Sequence, residues 1–220
     1  MNVGIILAAG NSERFGGTTP KPFYKINDKM IIEYSIDAFE ESKLIDLLII
    51  VTQKKWSKEI SKKYPKHLVV TGGDTRRDSS FSALNACPKD TKNVLIHDSA
   101  RPLIKSELID KCILHLQNND AIITSMPATD TIIRVQNNKV ICVEDRKTLF
   151  MNQTPQGFKF NIIFKAHKNN KRYGTDDFSL IDFQSLKYKI IQNQFSNLKI
   201  TNPEDVYLVK GLLDNKLIKI

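Results

Sequence analysis

A three-layer α/β fold around a mostly parallel sheet is the class this sequence predicts, and three observations predict it. Short runs rich in Val, Ile and Leu are apolar nearly throughout, as strands covered on both faces are. They alternate with longer segments that can each form a helix, which implies right-handed crossovers between parallel strands. The 220 residues suffice to bury roughly 70% of the extended-chain surface, so one large core is expected without disulfides or a structural metal.

Taken in order, Val3–Ala8 is the first strand and Met30–Ser42 the first helix. Leu47–Thr52 is a strand, followed by a helix over Lys54–Tyr64 whose lysines form a solvated face. His67–Thr71 then precedes a helix over Asp74–Ala86, Val94–His97 precedes one over Ser106–Asn118, and Ala121–Ser125 is a further strand. Asp74 and Ser106 are the expected N-caps. From Pro127 the pattern changes, because Thr131–Val135 and Lys139–Val143 alternate like two strands around Gln136-Asn137-Asn138. That reads as a hairpin, and residues 127–150 are expected to leave the sheet as an arm. Helical pattern resumes at Asn161–Lys168 and Thr175–Phe183, a strand is expected at Lys187–Gln192, and Pro203 opens a last helix with Asn202 as its cap. No repeat or linker interrupts the chain, so residues 1–220 read as one domain.

Composition narrows the function. At 41% hydrophobic and 26% charged residues the chain is an ordinary soluble protein, which excludes a disordered or collagen-like one. Cys87, Cys112 and Cys142 are odd in number and form no CxxC pair, so they read as packing residues in a reducing cytoplasm. The strongest apolar run, Leu44 to Val51, is too short for a membrane span and contains Asp46, while Met1-Asn2-Val3 lacks the basic start of a signal peptide. A cytoplasmic location with no membrane partner is expected. Formal charge is 33 minus 24, or +9, which favours an anionic partner. Charge alone leaves nucleic acid, an anionic membrane and a phosphorylated small molecule open; with no RNP motif, zinc-finger spacing or arginine-rich tract, nucleic-acid binding is only the background alternative.

Ligands of open α/β sheets collect beyond the carboxyl ends of the strands. Here the first strand ends in Ala8-Ala9-Gly10, and its loop goes on to Arg14, Gly16, Gly17 and Lys21. Small residues let backbone approach a ligand, and Arg14 and Lys21 bring positive charge. The loop has neither a GK[ST] ending nor a GxGxxG spacing, so Walker A and dinucleotide folds are disfavoured. Gly72-Gly73-Asp74 leads to Arg76, Arg77, Asp78 and Ser79, and the fourth strand ends in His97-Asp98-Ser99-Ala100-Arg101-Pro102. A carboxylate such as Asp98 beside basic loops is a common way to hold Mg²⁺ and phosphates together, whereas His97 reads as packing or loop hydrogen bonding.

GIILAAGNSERFG with PKP, then GGDTRRDS, HDSARP, ATDTI, EDR, QTPQGF, GTDDFSLI and LKITNPEDV follow in one register over nearly the whole chain. In this the sequence resembles the 2-C-methyl-D-erythritol 4-phosphate cytidylyltransferases of the non-mevalonate isoprenoid pathway. The resemblance implies a Rossmann-like sheet of the nucleotide-diphospho-sugar transferase type, a homodimer with a swapped arm, and transfer of CMP from CTP to methylerythritol phosphate with release of diphosphate. Ribitol 5-phosphate cytidylyltransferases share the first loop, the HDxxRP pattern and QTPQ, so a ribitol or other polyol phosphate stays open as the acceptor; the segment Thr175 to Ser179 favours the isoprenoid enzymes. Pro22 stands where the family usually has Gln, and Ser99 where it has Ala.

Carried over residue by residue, the resemblance implies Arg14, Lys21 and Lys199 as the catalytic cations on the phosphates. It implies Ala8, Ala9, Gly10, Gly73, Asp74, Ser79 and Asp98 around CTP, with Asp98 also the ligand of Mg²⁺ or another divalent cation. Thr131 and Arg146 would clamp the acceptor phosphate, with Arg101, Thr154 and Thr175 closing that pocket. No activated nucleophile is needed, because a phosphate monoester is already nucleophilic and the protein must supply alignment and charge neutralisation.

Overall fold

In the computed structural model, which describes residues 1–17, 19–169, 174–193, 197–215 and 217, alternation of strand and helix dominates the first half of the chain. The order is β1 Asn2–Ala8, β2 Lys25–Ile26, β3 Lys29–Met30, α1 Ile31–Glu41, β4 Leu47–Thr52, α2 Lys54–Lys63, β5 Leu68–Thr71, α3 Arg76–Asn85, β6 Asn93–Asp98, α4 Ser106–Leu116 and β7 Ala121–Pro127. The second half follows with β8 Ile133–Gln136, β9 Lys139–Val143, β10 Phe150–Lys159, α5 Phe160–Asn169, β11 Tyr188–Gln192 and α6 Glu204–Asp214. Seven strands form one sheet in the order β11-β7-β10-β6-β1-β4-β5, parallel except for β10. β8 and β9 pair only with each other, as the separate hairpin that the sequence predicts.

The strands bury both faces, and successive residues divide between two cores. Ile6, Leu48, Ile50 and Leu95 join Ile32, Ile36, Phe39 and Leu116 of α1 and α4 on one side. Ile5, Leu7, Ile49, Val94 and Ile96 join Leu84 and Ile163 of α3 and α5 on the other. That is the three-layer arrangement. Cys112 lies within the first core, where burial pushes its thiol up to about 12. A third cluster packs Val206 and Val209 of α6 with Phe15, Tyr34, Leu103 and Ile200, so the last helix backs the first loop.

Several expectations are corrected. β10 was not expected as a strand: Pro155 and the register shift between Asn152 and Gln156 interrupt its alternation, while a bulge accommodates the missing proline donor. The helix expected over Thr175–Phe183 is only a short 3₁₀ turn, Phe178–Leu180. There Asp176 accepts from the Ser179 amide and its carbonyl from the Ser179 hydroxyl, a local pairing that competes with helix. The cap of α3 is Thr75 rather than Asp74, through reciprocal bonds with Asp78. Lys105 holds the cap position of α4 without a side-chain bond, and Pro203, not Asn202, that of α6.

Gly4 sits in β1, between β4 and β6, with no room beside it. A Cβ there would lie 2.6 Å from the Phe39 ring, which is 1% exposed. Gly4→Ala is therefore expected to lower stability by about 1–3 kcal/mol, read as a shift in urea midpoint, and Phe39→Leu in the same chain should recover part of it. An unshifted midpoint would show that this contact does not constrain the core.

Candidate active site

The carboxyl ends of β1, β5 and β6 open on a cleft of about 550 Å³. β1 delivers Ala8, after which the loop turns through Ser12 and Gly16 with positive φ. The Ser12 hydroxyl accepts from the Lys21 amide at 3.1 Å, closing the loop on itself. Phe15 is buried under α6 while its neighbour Arg14 is exposed, so one side chain anchors the turn and the other is free to reach a ligand. Pro22 is buried in the next 3₁₀ turn near its start, where proline's missing N–H is tolerated. It lines the cleft, as does Ser99, so both departures from the family pattern are part of the cavity wall.

The glycines divide by cause. A Cβ on Gly72 would lie 2.3 Å from the Ala9 side chain, so close packing of the two loops demands it, and one on Gly73 would lie 2.4 Å from that of Asp78, so the tight turn into α3 demands the other. A Cβ on Gly10 would meet no atom within 4 Å, so the open space beside it belongs to the cleft.

Asp98, at the end of β6, is the electrostatic centre. Arg76 Nε donates to its Oδ1 at 3.0 Å and Lys199 Nζ to its Oδ2 at 2.6 Å. Burial alone would raise the pKa of this carboxyl, but Arg76 and Lys199 outweigh it and hold Asp98 well below the usual carboxylate range. Lys199 reaches this position because the next residue, Ile200, is fully buried and its amide donates to the Ala100 carbonyl. Lys21 is pushed below the usual lysine range by burial and by repulsion from Lys199 and Arg14. Four cationic side chains, Arg14, Lys21, Arg76 and Lys199, thus line a cleft with two carboxylates, Asp74 and Asp98, an excess of positive charge that suits an anion.

Every residue that the sequence assigned to catalysis or to CTP lines this cleft: Arg14, Lys21 and Lys199, and Ala8, Ala9, Gly10, Gly73, Asp74, Ser79 and Asp98. The acceptor set is placed differently. Thr154 is buried, where its hydroxyl accepts from the Asp98 amide and bonds His97 Nδ1, each at 3.1 Å. With that hydroxyl donating to Nδ1, His97 Nε2 carries the proton and donates to the Arg101 carbonyl at 3.2 Å. Burial pushes His97 down to about 4, so it is neutral at pH 7 and braces the loop. Arg101 is buried, donating to the Asn197 carbonyl at 2.8 Å, and Thr175 is exposed. Thr131 and Arg146 are exposed on the arm, where Arg146 donates to the Thr129 carbonyl at 2.5 Å. None of these five lines the cleft.

Arg76 was within the quoted GGDTRRDS segment without a role, and the structure gives it one. Its Nη1 donates to Asp177 at 2.6 Å, and Asp177 in turn meets His167 Nε2 at 3.0 Å. Gln53 was also missed; from the end of β4 its amide makes long bonds, 3.3–3.4 Å, to the Ala9 and Gly10 carbonyls. No local pattern marks either pairing, since the partners are about 40 to 100 residues apart.

Known proteins share this sequence and this fold. The chain is 39% identical over 222 residues to a 2-C-methyl-D-erythritol 4-phosphate cytidylyltransferase of Prochlorococcus marinus, covering 96% of this chain and 97% of that one. It is 33% identical to part of a bifunctional ribulose 5-phosphate reductase/CDP-ribitol pyrophosphorylase of Haemophilus influenzae, covering 98% of this chain but 48% of that one. A solved 4-diphosphocytidyl-2C-methyl-D-erythritol synthase of Anaerococcus prevotii superposes with a TM-score of 0.87 at 29% identity, covering 97% of this chain and 96% of that one. The model of one family, described as IspD, matches residues 2–215, and the chain belongs to that family, the 2-C-methyl-D-erythritol 4-phosphate cytidylyltransferases.

Proposed function

We propose that this chain transfers CMP from CTP to 2-C-methyl-D-erythritol 4-phosphate, giving 4-diphosphocytidyl-2-C-methyl-D-erythritol and diphosphate. The observation that carries this reading, beside family membership, is the convergence of Arg14, Lys21 and Lys199 on one cleft bordered by Asp98. An oxygen of the acceptor phosphate attacks the α-phosphorus of CTP, a new P–O bond forms, and the bond to the bridging oxygen breaks as diphosphate leaves. Both partners are anions, so the first requirement is to overcome their repulsion. Arg14 can span two phosphates through its planar fork, and Lys21 and Lys199 act as compact charges at the α-phosphate and the departing diphosphate. Backbone at Ala8, Ala9, Gly10 and Gly73, with Asp74 and Ser79, surrounds the base and ribose.

The donor set also suits Mg²⁺. Asp74 and Asp98 border the cleft, and among the described residues no group of three His, Cys, Asp or Glu could cage a metal. Mg²⁺ takes one or two carboxylates and completes its shell with phosphates and water. Each Asp98 oxygen accepts one N–H and retains a lone pair for a cation. Bound there, Mg²⁺ would align the triphosphate and spread its charge.

The arm belongs to a homodimer in this reading. Ile133, Val135, Val140, Ile141 and Val143 are about half exposed or more along β8 and β9, a patch suited to burial against a second copy. Thr131 and Arg146 are at the ends of that hairpin and away from the cleft of their own chain, so they serve the partner's cleft as its acceptor clamp. No described helix is long and apolar enough to cross a membrane, and a cytoplasmic location fits a chain of three free cysteines.

Arg14→Ala and Lys21→Ala are each expected to lower kcat by about 10²-fold or more, with a smaller rise in the KM for CTP, because charge on the α-phosphate and diphosphate grows toward the transition state. An unchanged kcat removes the role assigned to that residue. In an acceptor panel followed by diphosphate release, methylerythritol phosphate should exceed ribitol 5-phosphate in kcat/KM by about 10 to 200-fold, the range that shape alone allows. The opposite preference keeps the reaction, changes the acceptor, and aligns the chain with its Haemophilus relative. The shared site is tested by mixing. Arg14→Ala and Arg146→Ala should each be inactive, yet after subunit exchange an equal mixture should regain about a quarter of wild-type activity, since half the dimers then hold one intact site. A mixture that exchanges and stays inactive places both residues in one subunit's site.

A further inference from the structure

Behind the cleft a chain of buried ionic contacts runs from Asp98 away from the nucleotide side. The Arg76 guanidinium is clamped between two carboxylates, with Nε 3.0 Å from Asp98 Oδ1 and Nη1 2.6 Å from Asp177 Oδ2. Asp177 is fully buried and does not border the cleft. Its Oδ1 meets His167 Nε2 at 3.0 Å, and the His167 ring lies 5.9 Å from that of Phe81, within 4° of parallel. The pieces come from separate elements: Arg76 from the first turn of α3, His167 from α5, and Asp177 from the segment just before the 178–180 turn.

We infer that Asp177, with His167 behind it, is a positioning residue of the cleft: it fixes the Arg76 guanidinium, and through Arg76 the orientation in which Asp98 meets Lys199. A guanidinium held by one carboxylate can swing about that contact, whereas one held at Nε and Nη1 by two buried carboxylates has a single plane. Its Nε then occupies Oδ1 of Asp98 and leaves Oδ2 to Lys199. Without Asp177, Arg76 could turn to take both Asp98 oxygens in a two-toothed pair, displacing Lys199 from its place among the cations. The Asp177 carboxyl is held below its usual range by Arg76 and His167 against the opposing effect of burial, in keeping with a fixed charge. Asp177 is buried although Thr175, two residues earlier, is exposed.

A double-mutant cycle tests the inference, and it rests on the cytidylyltransferase reading for its ligand, Mg²⁺–CTP. Binding of Mg²⁺–CTP by calorimetry and kcat with methylerythritol phosphate are measured for wild type, Asp177→Asn, Arg76→Gln and the double variant. Asp177→Asn keeps the shape and loses the charge; it should weaken CTP binding or kcat by about 10 to 100-fold, as loss of a supporting partner commonly does. In the Arg76→Gln background the same change should cost no more than about threefold, because its only route to the cleft is gone. Equal losses in both backgrounds mean that Asp177 is merely structural, and the inference falls. If Asp177→Asn does not fold, the His167 pair decides: His167→Ala should weaken CTP binding and His167→Gln, whose amide can still donate to Asp177, should restore it. Equal binding by those two variants overturns the inference. Wild type that binds CTP but does not turn over methylerythritol phosphate overturns the acceptor assignment alone, while wild type that binds no CTP overturns the reading and the inference with it.

Discussion

A buried carboxylate must be paired or neutralised, and the pairing of Asp98 organises the site. The residue ends β6, next to β1, and is 8% exposed. Taking such a charge out of water is expensive unless cations and hydrogen bonds replace the lost hydration. Arg76 from α3 and Lys199 from the segment before α6 supply the cations, and Thr154 in β10 receives the Asp98 amide. One charge therefore ties together three chain segments, two of which also meet directly where Asn197 Nδ2 donates to the Thr154 carbonyl at 2.8 Å. The same pairing keeps a negative charge at the rim of a positive cavity, which limits how far the cations repel one another before a ligand arrives.

Lys21 shows the tension that remains. Burial and its neighbours Lys199 and Arg14 all oppose its protonation, and only the more distant carboxylates Asp98 and Asp205 favour it. The cleft thus gathers like charges whose repulsion an anionic ligand would relieve. A triphosphate brings more negative charge than the three cations carry, so binding restores their preference for the charged form. Preorganisation of this kind holds the cations in place before the transition state and requires no rearrangement at the moment of reaction. The supporting architecture is closely packed: Gly72 allows contact with Ala9 of the first loop that a single methyl group would part, and α6 packs under Phe15 to hold the turn that presents Arg14.

What could be read in the sequence follows from how local each cause is. The strands Leu47–Thr52 and Ala121–Ser125 are marked by continuous apolar runs, and their burial from both sides is the direct physical reason for that pattern. The loops after the strands were legible because glycine and charge concentrate there. β10 was not, since a strand that contains Asn152, Gln153 and Pro155 owes its place to neighbours on both sides and not to its own alternation. Thr75 and Asp74 are adjacent and both able to cap, so only the geometry of the turn separates them. Thr154 illustrates the limit for function. A threonine in QTPQ can face a ligand or brace a backbone, and in this chain its hydroxyl is already engaged by Asp98 and His97.

The division between cleft and arm gives that limit a physical form. The residues that line the cleft lie close together in one chain because strand ends of a parallel sheet converge by construction. Thr131 and Arg146 have no such geometric reason to approach the cleft, for β8 and β9 pair only with each other and are mostly exposed. Arg146 instead fastens the base of the arm through the Thr129 carbonyl, and Arg134 pairs with Glu144 across the hairpin at 2.7 Å, so the arm holds its own shape without the sheet. A stiff, exposed and apolar hairpin has little to stabilise it in water except a surface to cover. The sequence encodes the shape of the arm through its alternation, but what covers its exposed apolar side chains is not a local property of the hairpin, so no pattern in β8 and β9 specifies it.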